Sequence, residues 1–464
     1  MNNIYMEVRG SMTQFEPLTP ERVLEETKGM ITYAEFSKIL SEYGMSIEYV
    51  VYDATRHFQN TFYADYDNAL YRTLYLNYDY IKGAGCVDLE NFSEIIKSGN
   101  AAFKTRNWNS LYSFEIPVPM LIYDFQRRFR DIKPENVFDI WHKIYKRIDY
   151  AGGVWNSDIL EYVFSHAPKP KIPSFNENGM VTIYRGMGEL SQPPETAISW
   201  STHPGNALWF ANHCGRGTHL VIAEVSLDNI VAYFGGFYHE NEIIVRPNTV
   251  CNIRNEDMYP AKEETFVKLT VPALINFKIF GRQAAKLGYK EETTKFAVHG
   301  IKHILRVLLL SLIYFYNSGT ELTKEDRNIL VYFSLLHDIG RTNEDEDENH
   351  GLASIQLIKS KGLRIAGIKL SPKAYRMANF IIQYHCREDS EGMKAIQELS
   401  EFSRKDKERT EQLYCICKDM DGLDRVRFNG LDYRMLRTEF AKKLPLIAGC
   451  LLEEDIIAAI NKQD

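Results

Sequence analysis

The chain lacks any long apolar run. Its greasiest stretch, residues 307–316, is about half of the roughly 20 residues a membrane-spanning helix needs, so it reads as a buried helix and no membrane partner is expected. Positive charge is also scarce. With 55 Lys and Arg against 62 Asp and Glu the formal net charge is -7, so a general polyanion-binding surface is not expected and nucleic acid is not favoured as a partner. Paired cysteines are missing too. The seven present, Cys86, Cys214, Cys251, Cys386, Cys415, Cys417 and Cys450, are odd in number and show no CxxC spacing, as expected of reduced thiols in a cytosolic compartment. Cys415 and Cys417 stand two apart on a predicted helix and point to different faces, which argues for packing over a zinc knuckle. Residues 1–10 have no apolar core of the kind a secretory signal needs, so the expected location is cytoplasmic, with delivery into another cell left open.

What is there fills more than one core. A chain of 464 residues, 45% apolar and 25% charged, is ordinary soluble globular material in two or three domains. Residues 19–167 read as helical and rich in tyrosine, packed through aromatic bodies with polar tips. Pro168, Pro170, Pro173 and Asn176 mark a linker, with a boundary near Lys171. Strand-like runs follow at 181–184, 196–200, 220–225, 243–245 and 266–271, interrupted by a helix over 204–213. From about Ile275 apolar residues recur at three and four positions, the period of buried helices. The expected architecture is multidomain: a helical domain over 1–170, an α+β domain over 171–275 and an all-α domain over 276–464.

Three anchors stand out in the middle segment. Tyr184-Arg185-Gly186 ends its first strand, Ser199-Trp200-Ser201-Thr202 ends another before a helix, and His239-Glu240-Asn241-Glu242 leads into Ile243-Ile244-Val245. Arginine, then a serine-rich strand, then Glu-x-Glu, resembles the triad of the mono-ADP-ribosyltransferase family. The resemblance spans about 180–272 and implies NAD as substrate. Loss of nicotinamide leaves an oxocarbenium-like ribose, which a carboxylate stabilises by gripping the 2′-hydroxyl; Glu242 fits that role. Two residues apart on a strand puts Glu240 on the same face, where it can position or deprotonate an acceptor, with an arginine of a target protein favoured by the resemblance. Arg185 would hold the dinucleotide phosphates in its planar fork, beside Tyr184 and Gly186. Ser201 would stand as the first serine of the family's Ser-Thr-Ser element and brace the NAD site, with Thr202 after it; His203 replaces the second serine. The loop Tyr233-Phe234-Gly235-Gly236-Phe237-Tyr238 would be the acceptor-recognising turn.

The all-α segment carries a second constellation. His337-Asp338 closes an apolar run, and a vicinal imidazole and carboxylate form a ready-made metal chelate. His303 lies upstream, and His350, His385 and Asp421 follow. This set resembles the HD-domain metal-dependent phosphohydrolases. The resemblance implies His303 as first ligand, His337 and Asp338 as the namesake pair, Asp421 as the closing carboxylate, and His350 with His385 as the extra histidines of members holding two metals. Mixed His and carboxylate ligation suits two divalent ions of Mn, Fe, Co or Ni, and such a pair serves phosphoester hydrolysis. His299, four residues before His303, would touch substrate or orient a ligand; Asp419 and Asp424 read as outer supports or surface charge. Residues 344–348, all acidic, read as a solvated loop.

The two resemblances together imply a toxin, effector or defence protein with two activities. The HD site would cut the pyrophosphate of the ADP-ribosylated product or act on a separate nucleotide. The alternative is a nucleotide phosphohydrolase gated by a middle domain that senses NAD without turning it over.

Overall fold

The computed structural model describes residues 15–54, 61–74, 76, 85–148, 155–172, 178–189, 191–213, 216–236, 240–289, 299–342 and 347–461. Of the residues singled out above, those at 1–10, Pro173, Asn176, Cys214, Phe237, Tyr238, His239, Glu344, Asp345 and Glu346 lie outside it. Among the described residues no helix is long and apolar enough to cross a membrane.

The N-terminal segment departs from the all-helical expectation. A four-stranded antiparallel sheet, β1 (Phe15–Pro17), β2 (Val50–Asp53), β3 (Thr61–Asp65) and β4 (Leu70–Leu74), stands beside its helices. Alternation gave no warning because β3 is buried on both faces. Phe62 and Ala64 enter one core while Tyr63 enters another, so the period of two is hidden in an unbroken apolar string. The turn into β4 is built by Asp65, whose Oδ1 accepts from the backbone N–H groups of Asp67 and Asn68 at 3.1 Å.

The middle segment forms a six-stranded antiparallel sheet from β5 (Met180–Gly188), β6 (Ser199–Ser201), β7 (Gly217–Ser226), β8 (Ile230–Phe234), β9 (Glu242–Val245) and β10 (Cys251–Asn255), in the order β10-β7-β5-β6-β9-β8. β5 and β6 share one residue pair, Tyr184 with Ser201. The sheet is thus two three-stranded halves joined at that pair, with Val181, Ile183, Ala223, Ile243 and Val245 in one core between them. Strands β8 and β10 were not foreseen. The run at 266–271 is not a strand: it belongs to the helix Glu263–Ala284. Its β-branched Val267, Thr270 and Val271 before Pro272 look strand-like in a six-residue window. Over the whole helix the buried residues Leu269, Ala273, Phe277, Phe280 and Ala284 fall at helical spacing, and the helix runs through Ile275 unbroken.

The helix Pro204–His213 lies against β5, and Gly186 makes that approach possible: a Cβ there would stand 1.8 Å from the carbonyl oxygen of Ala207. Gly205 meets the C-terminal segment as closely, its Cβ position being 2.6 Å from the carbonyl of Asn429. Tyr184, Ala207, Leu208, Ala211, Leu220 and Ile222 accordingly share one hydrophobic core with the C-terminal helices. On the other side Ile198, Val231, Ala232 and Ile244 share a core with the N-terminal helices. The C-terminal segment is helical as expected, with Ile301–Asn317, Lys324–Leu336, His350–Lys361, Pro372–Tyr384 and Arg404–Leu423 around the apolar interior. Capping boxes at Thr323 with Asp326 and at Ser403 with Asp406 fix two of the starts.

Candidate functional site

His337 caps the C-terminal end of Lys324–Leu336, and the turn through Gly340 is held by the next helix. Ser354 Oγ donates to the His337 carbonyl at 2.6 Å and accepts from Gly340 N–H at 3.0 Å. Glycine is required at 340, where a Cβ would come within 2.3 Å of Ser354 N. This bracing fixes the direction of Asp338, the middle of the cluster.

The structure brings all six predicted metal-ligating residues together. Asp338 Oδ2 lies 3.6 Å from His303 Nε2 and 3.8 Å from His337 Nε2, while Oδ1 lies 3.2 Å from His350 Nε2 and 3.6 Å from His385 Nε2. Asp421 Oδ1 joins the first group at 3.3 Å from His303 Nε2 and 3.6 Å from His337 Nε2. One carboxylate thus offers an oxygen to each of two histidine pairs.

The far nitrogens of the four rings fix the meaning of the near ones. His303 Nδ1 sits 2.7 Å from Asp424 Oδ2, His337 Nδ1 3.2 Å from the Ser334 carbonyl and His385 Nδ1 2.6 Å from the Ile382 carbonyl. His350 Nδ1 meets the Asp347 carbonyl, with Arg341 Nη1 also near at 3.1 Å; the closer carbonyl decides the tautomer. These oxygens only accept, so each Nδ1 carries the proton and each Nε2 turns a lone pair inward. His303 and His337 then face each other at 3.2 Å, and His350 and His385 at 2.9 Å, acceptor against acceptor. Such an arrangement calls for a cation between them. For bonds of about 2.1 Å, ligand atoms at right angles stand about 3.0 Å apart, close to the spacings found.

Without a metal ion a proton meets that demand: burial works against charge on His337, but Asp338 and Asp421 outweigh it and push its pKa up to about 9, so this ring takes up a second proton on the inward side. Burial alone would raise Asp338 and Asp421; the charge of the protonated His337, with its hydrogen bond to Asp421 and that of His299 to Asp338, instead holds both well below the usual carboxylate range. Asp424 is not a ligand. It is fully buried behind His303, receives Arg306 Nη2 at 3.0 Å and Arg427 Nη1 at 2.8 Å, and against its burial these partners lower its pKa to about 2. Asp419 faces away, accepting from the Thr438 N–H and hydroxyl at 2.8 Å. His299 is partly exposed, its Nδ1 3.1 Å from Asp338 Oδ2. Cys386 comes within reach of His350 and His385, but its thiol donates to the Glu348 carbonyl at 3.1 Å.

The middle-segment anchors assemble differently. Glu242, buried at the start of β9, accepts at Oε1 from Ser199 Oγ at 2.7 Å and from Tyr145 OH at 2.8 Å. Arg185 Nη1 donates to the Ser199 carbonyl at 2.6 Å, so Arg185, Ser199 and Glu242 form one chain. Ser199, not Ser201, holds the glutamate. Ser201 Oγ donates to the Glu240 carbonyl at 3.0 Å and accepts from His203 N–H at 3.1 Å. His203 Nδ1 accepts from Gly205 N–H at 3.1 Å, and Thr202 N–H donates to the Asn241 carbonyl at 2.9 Å, so both serve the strand-to-helix turn. Glu240 does not share a strand face with Glu242: Asn241 has φ +50°, β9 begins after it, and Glu240 is exposed. Tyr184 OH receives Arg434 Nη1 at 2.8 Å from the C-terminal segment, and Gly186 is occupied by helix packing.

Sequence reasoning missed Tyr145. It comes from the helix Pro134–Arg147, its ring stacks on Trp141, and burial beside Glu242 raises its pKa well above the ordinary value. One tyrosine among 28, 97 residues before its partner, carries no local signal. Comparisons of the chain with family models, with curated proteins and with solved structures gave no match.

Proposed function

We propose that the C-terminal cluster is a two-metal phosphohydrolase centre. The observation that supports it most is the pair of acceptor-against-acceptor contacts, His303 with His337 and His350 with His385, gathered on the two oxygens of Asp338. The donor set fits: His303, His337, Asp421 and Asp338 Oδ2 would hold one ion, and His350, His385 and Asp338 Oδ1 the other. Divalent ions bound there would supply Lewis acidity, activating a water and neutralising phosphate charge. Nitrogen and carboxylate donors without a committed thiolate favour Mn, Fe, Co or Ni. The chain's own residues do the positioning. Asp424 fixes the tautomer and plane of His303, and Ser354 fixes the turn that carries Asp338. His299, partly exposed and beside Asp338 without being in the ligand set, is the group best set to meet a substrate phosphate. The test is elemental analysis of the purified protein, together with hydrolysis of bis(p-nitrophenyl) phosphate in the presence of Mn. Both are expected to vanish in Asp338→Ala while the circular dichroism spectrum is retained. Unchanged metal content in that variant would refute the reading.

A second activity, NAD-dependent ADP-ribosyl transfer, is supported by the Arg185, Ser199 and Glu242 chain. In this reading Glu242 grips the ribose 2′-hydroxyl, Ser199 holds the carboxylate in place, and Tyr145 OH stands where that sugar hydroxyl would bind. Transfer therefore requires Tyr145 to yield. Labelled NAD provides the test. Glu242→Ala is expected to abolish label transfer to lysate proteins. Mass spectrometry of the labelled target shows whether ADP-ribose or phosphoribose remains, and so whether the metal centre acts on the product or on a separate nucleotide. NAD binding without any turnover would instead favour the middle segment as a sensor.

A further inference from the structure

The two halves of the histidine and aspartate cluster are unequal. His303, His337, Asp421 and Asp338 Oδ2 give one half four donors, whereas His350, His385 and Asp338 Oδ1 give the other three. A fourth stands beside the poorer half. Cys386 directly follows His385 at the end of the helix Pro372–Tyr384, and its sulfur and one ring nitrogen each of His350 and His385 all lie within 4.8 Å of one another. Of the described cysteines, Cys251, Cys386, Cys415, Cys417 and Cys450, only Cys386 belongs to such a group. Its present hold is weak: the thiol donates to the Glu348 carbonyl at 3.1 Å, a thiol is a poor donor, and Glu348 is an exposed residue where water can take the thiol's place.

We propose that Cys386 is a ligand of the ion held by His350 and His385 when that ion is thiophilic, Co or Zn, and completes a set of two nitrogens, one carboxylate oxygen and one sulfur. This rests on the reading of the cluster as a metal centre and adds a difference between its two positions. Around a tetrahedral ion with bonds of about 2.1 Å to nitrogen and about 2.3 Å to sulfur, the sulfur stands about 3.6 Å from each nitrogen. From within 4.8 Å the remaining shift is about 1 Å, which a change in the cysteine side-chain torsion supplies. On coordination the S–H bond breaks, a metal–sulfur bond forms and the proton passes to water; no electron changes hands. Sulfur is the softer donor. The position of His350 and His385 therefore selects Co or Zn, while that of His303 and His337, with two carboxylate oxygens, accepts the harder Mn. The chain sorts two different ions into one cluster.

Cobalt titration of the chelator-stripped full chain provides the test. Cobalt held by imidazole and carboxylate absorbs weakly in the visible, whereas a cobalt–thiolate bond adds an intense charge-transfer band in the near ultraviolet. The wild type is expected to show both. Cys386→Ser is expected to lose the near-ultraviolet band and keep the visible absorption, and Cys251→Ser, an exposed thiol elsewhere, to behave as wild type. If Cys386→Ser loses its fold by circular dichroism, iodoacetamide labelling of the wild type, read by peptide mass spectrometry, takes its place: cobalt should protect Cys386 and leave Cys251 reactive. Cobalt bound without the band, a band that survives Cys386→Ser, or labelling of Cys386 that cobalt leaves unchanged would each overturn the proposal while the metal centre stands. A wild type that binds no cobalt would overturn both.

Discussion

The two buried polar clusters differ in one respect that explains the rest. Around Glu242 every contact runs from donor to acceptor: Tyr145 and Ser199 donate to the carboxylate, and Arg185 donates to the Ser199 carbonyl. Around Asp338 the neutral imidazoles turn lone pairs toward one another, because one proton of each ring is spent on an oxygen behind it, and only an added cation, as the proton on His337 is, completes the set. A satisfied network is complete as it stands and must be opened before it can bind anything. An unsatisfied one is complete only with a cation. The chemistry of a site is thus carried less by its residue types than by the direction of their hydrogen bonds.

The comparison can be broken most forcefully at Asp338. Asp338→Ala should abolish metal binding at both positions together, because one carboxylate serves both; elemental analysis that finds one ion retained would mean that the two halves are independent. A smaller effect is expected one layer out. Asp424→Asn keeps the shape but weakens the grip on His303, Arg306 and Arg427, and metal affinity should fall about 10- to 100-fold, read by competition with a chelating dye. The Glu242 network should respond in stability and not in metal content. Glu242→Ala strands the hydroxyls of Tyr145 and Ser199 and should cost about 2–4 kcal/mol in urea unfolding, whereas Tyr145→Phe, removing one of two donors, should cost about 1 kcal/mol. Smallest of all, Ser201→Ala should change stability by about 1 kcal/mol or less, since its oxygen serves only the turn into Pro204–His213. If Ser201→Ala proves costlier than Ser199→Ala, Ser201 holds the glutamate site and the assignment of roles is reversed.

How much of this was legible follows from the same physics. The metal-type cluster was readable because histidine and aspartate at helical spacings within apolar runs have few uses, and all six residues converge. Asp424 was readable only as a support of unstated direction; that it backs His303 depends on the crossing of Ile301–Asn317 with Arg404–Leu423. In the middle segment Ser199 was not picked out as the partner of Glu242 because Ser199 and Ser201 have the same strand parity, so alternation cannot choose between them. Glu240 was placed on the wrong footing because one residue, Asn241, takes a left-handed backbone that Glu-x-Glu does not announce. Tyr145 was invisible because the contact is long-range. The N-terminal sheet was lost because β3 faces two cores, and the strand at 266–271 was a matter of window length: six residues suggested a strand and 22 show a helix.

The helix Pro204–His213 has a consequence of its own. Its small side of Ala207 and Ala211 rests on Gly186, while Gly205 and Asn212 meet Asn429 and Leu446 of the C-terminal segment. Neither neighbour can be withdrawn without uncovering it. A cut near residue 275, where composition invites one, would divide a single cooperative unit rather than release two modules. The pieces would expose the faces they now share, and the chain is better understood as one body with two buried polar clusters than as a fusion of separable parts.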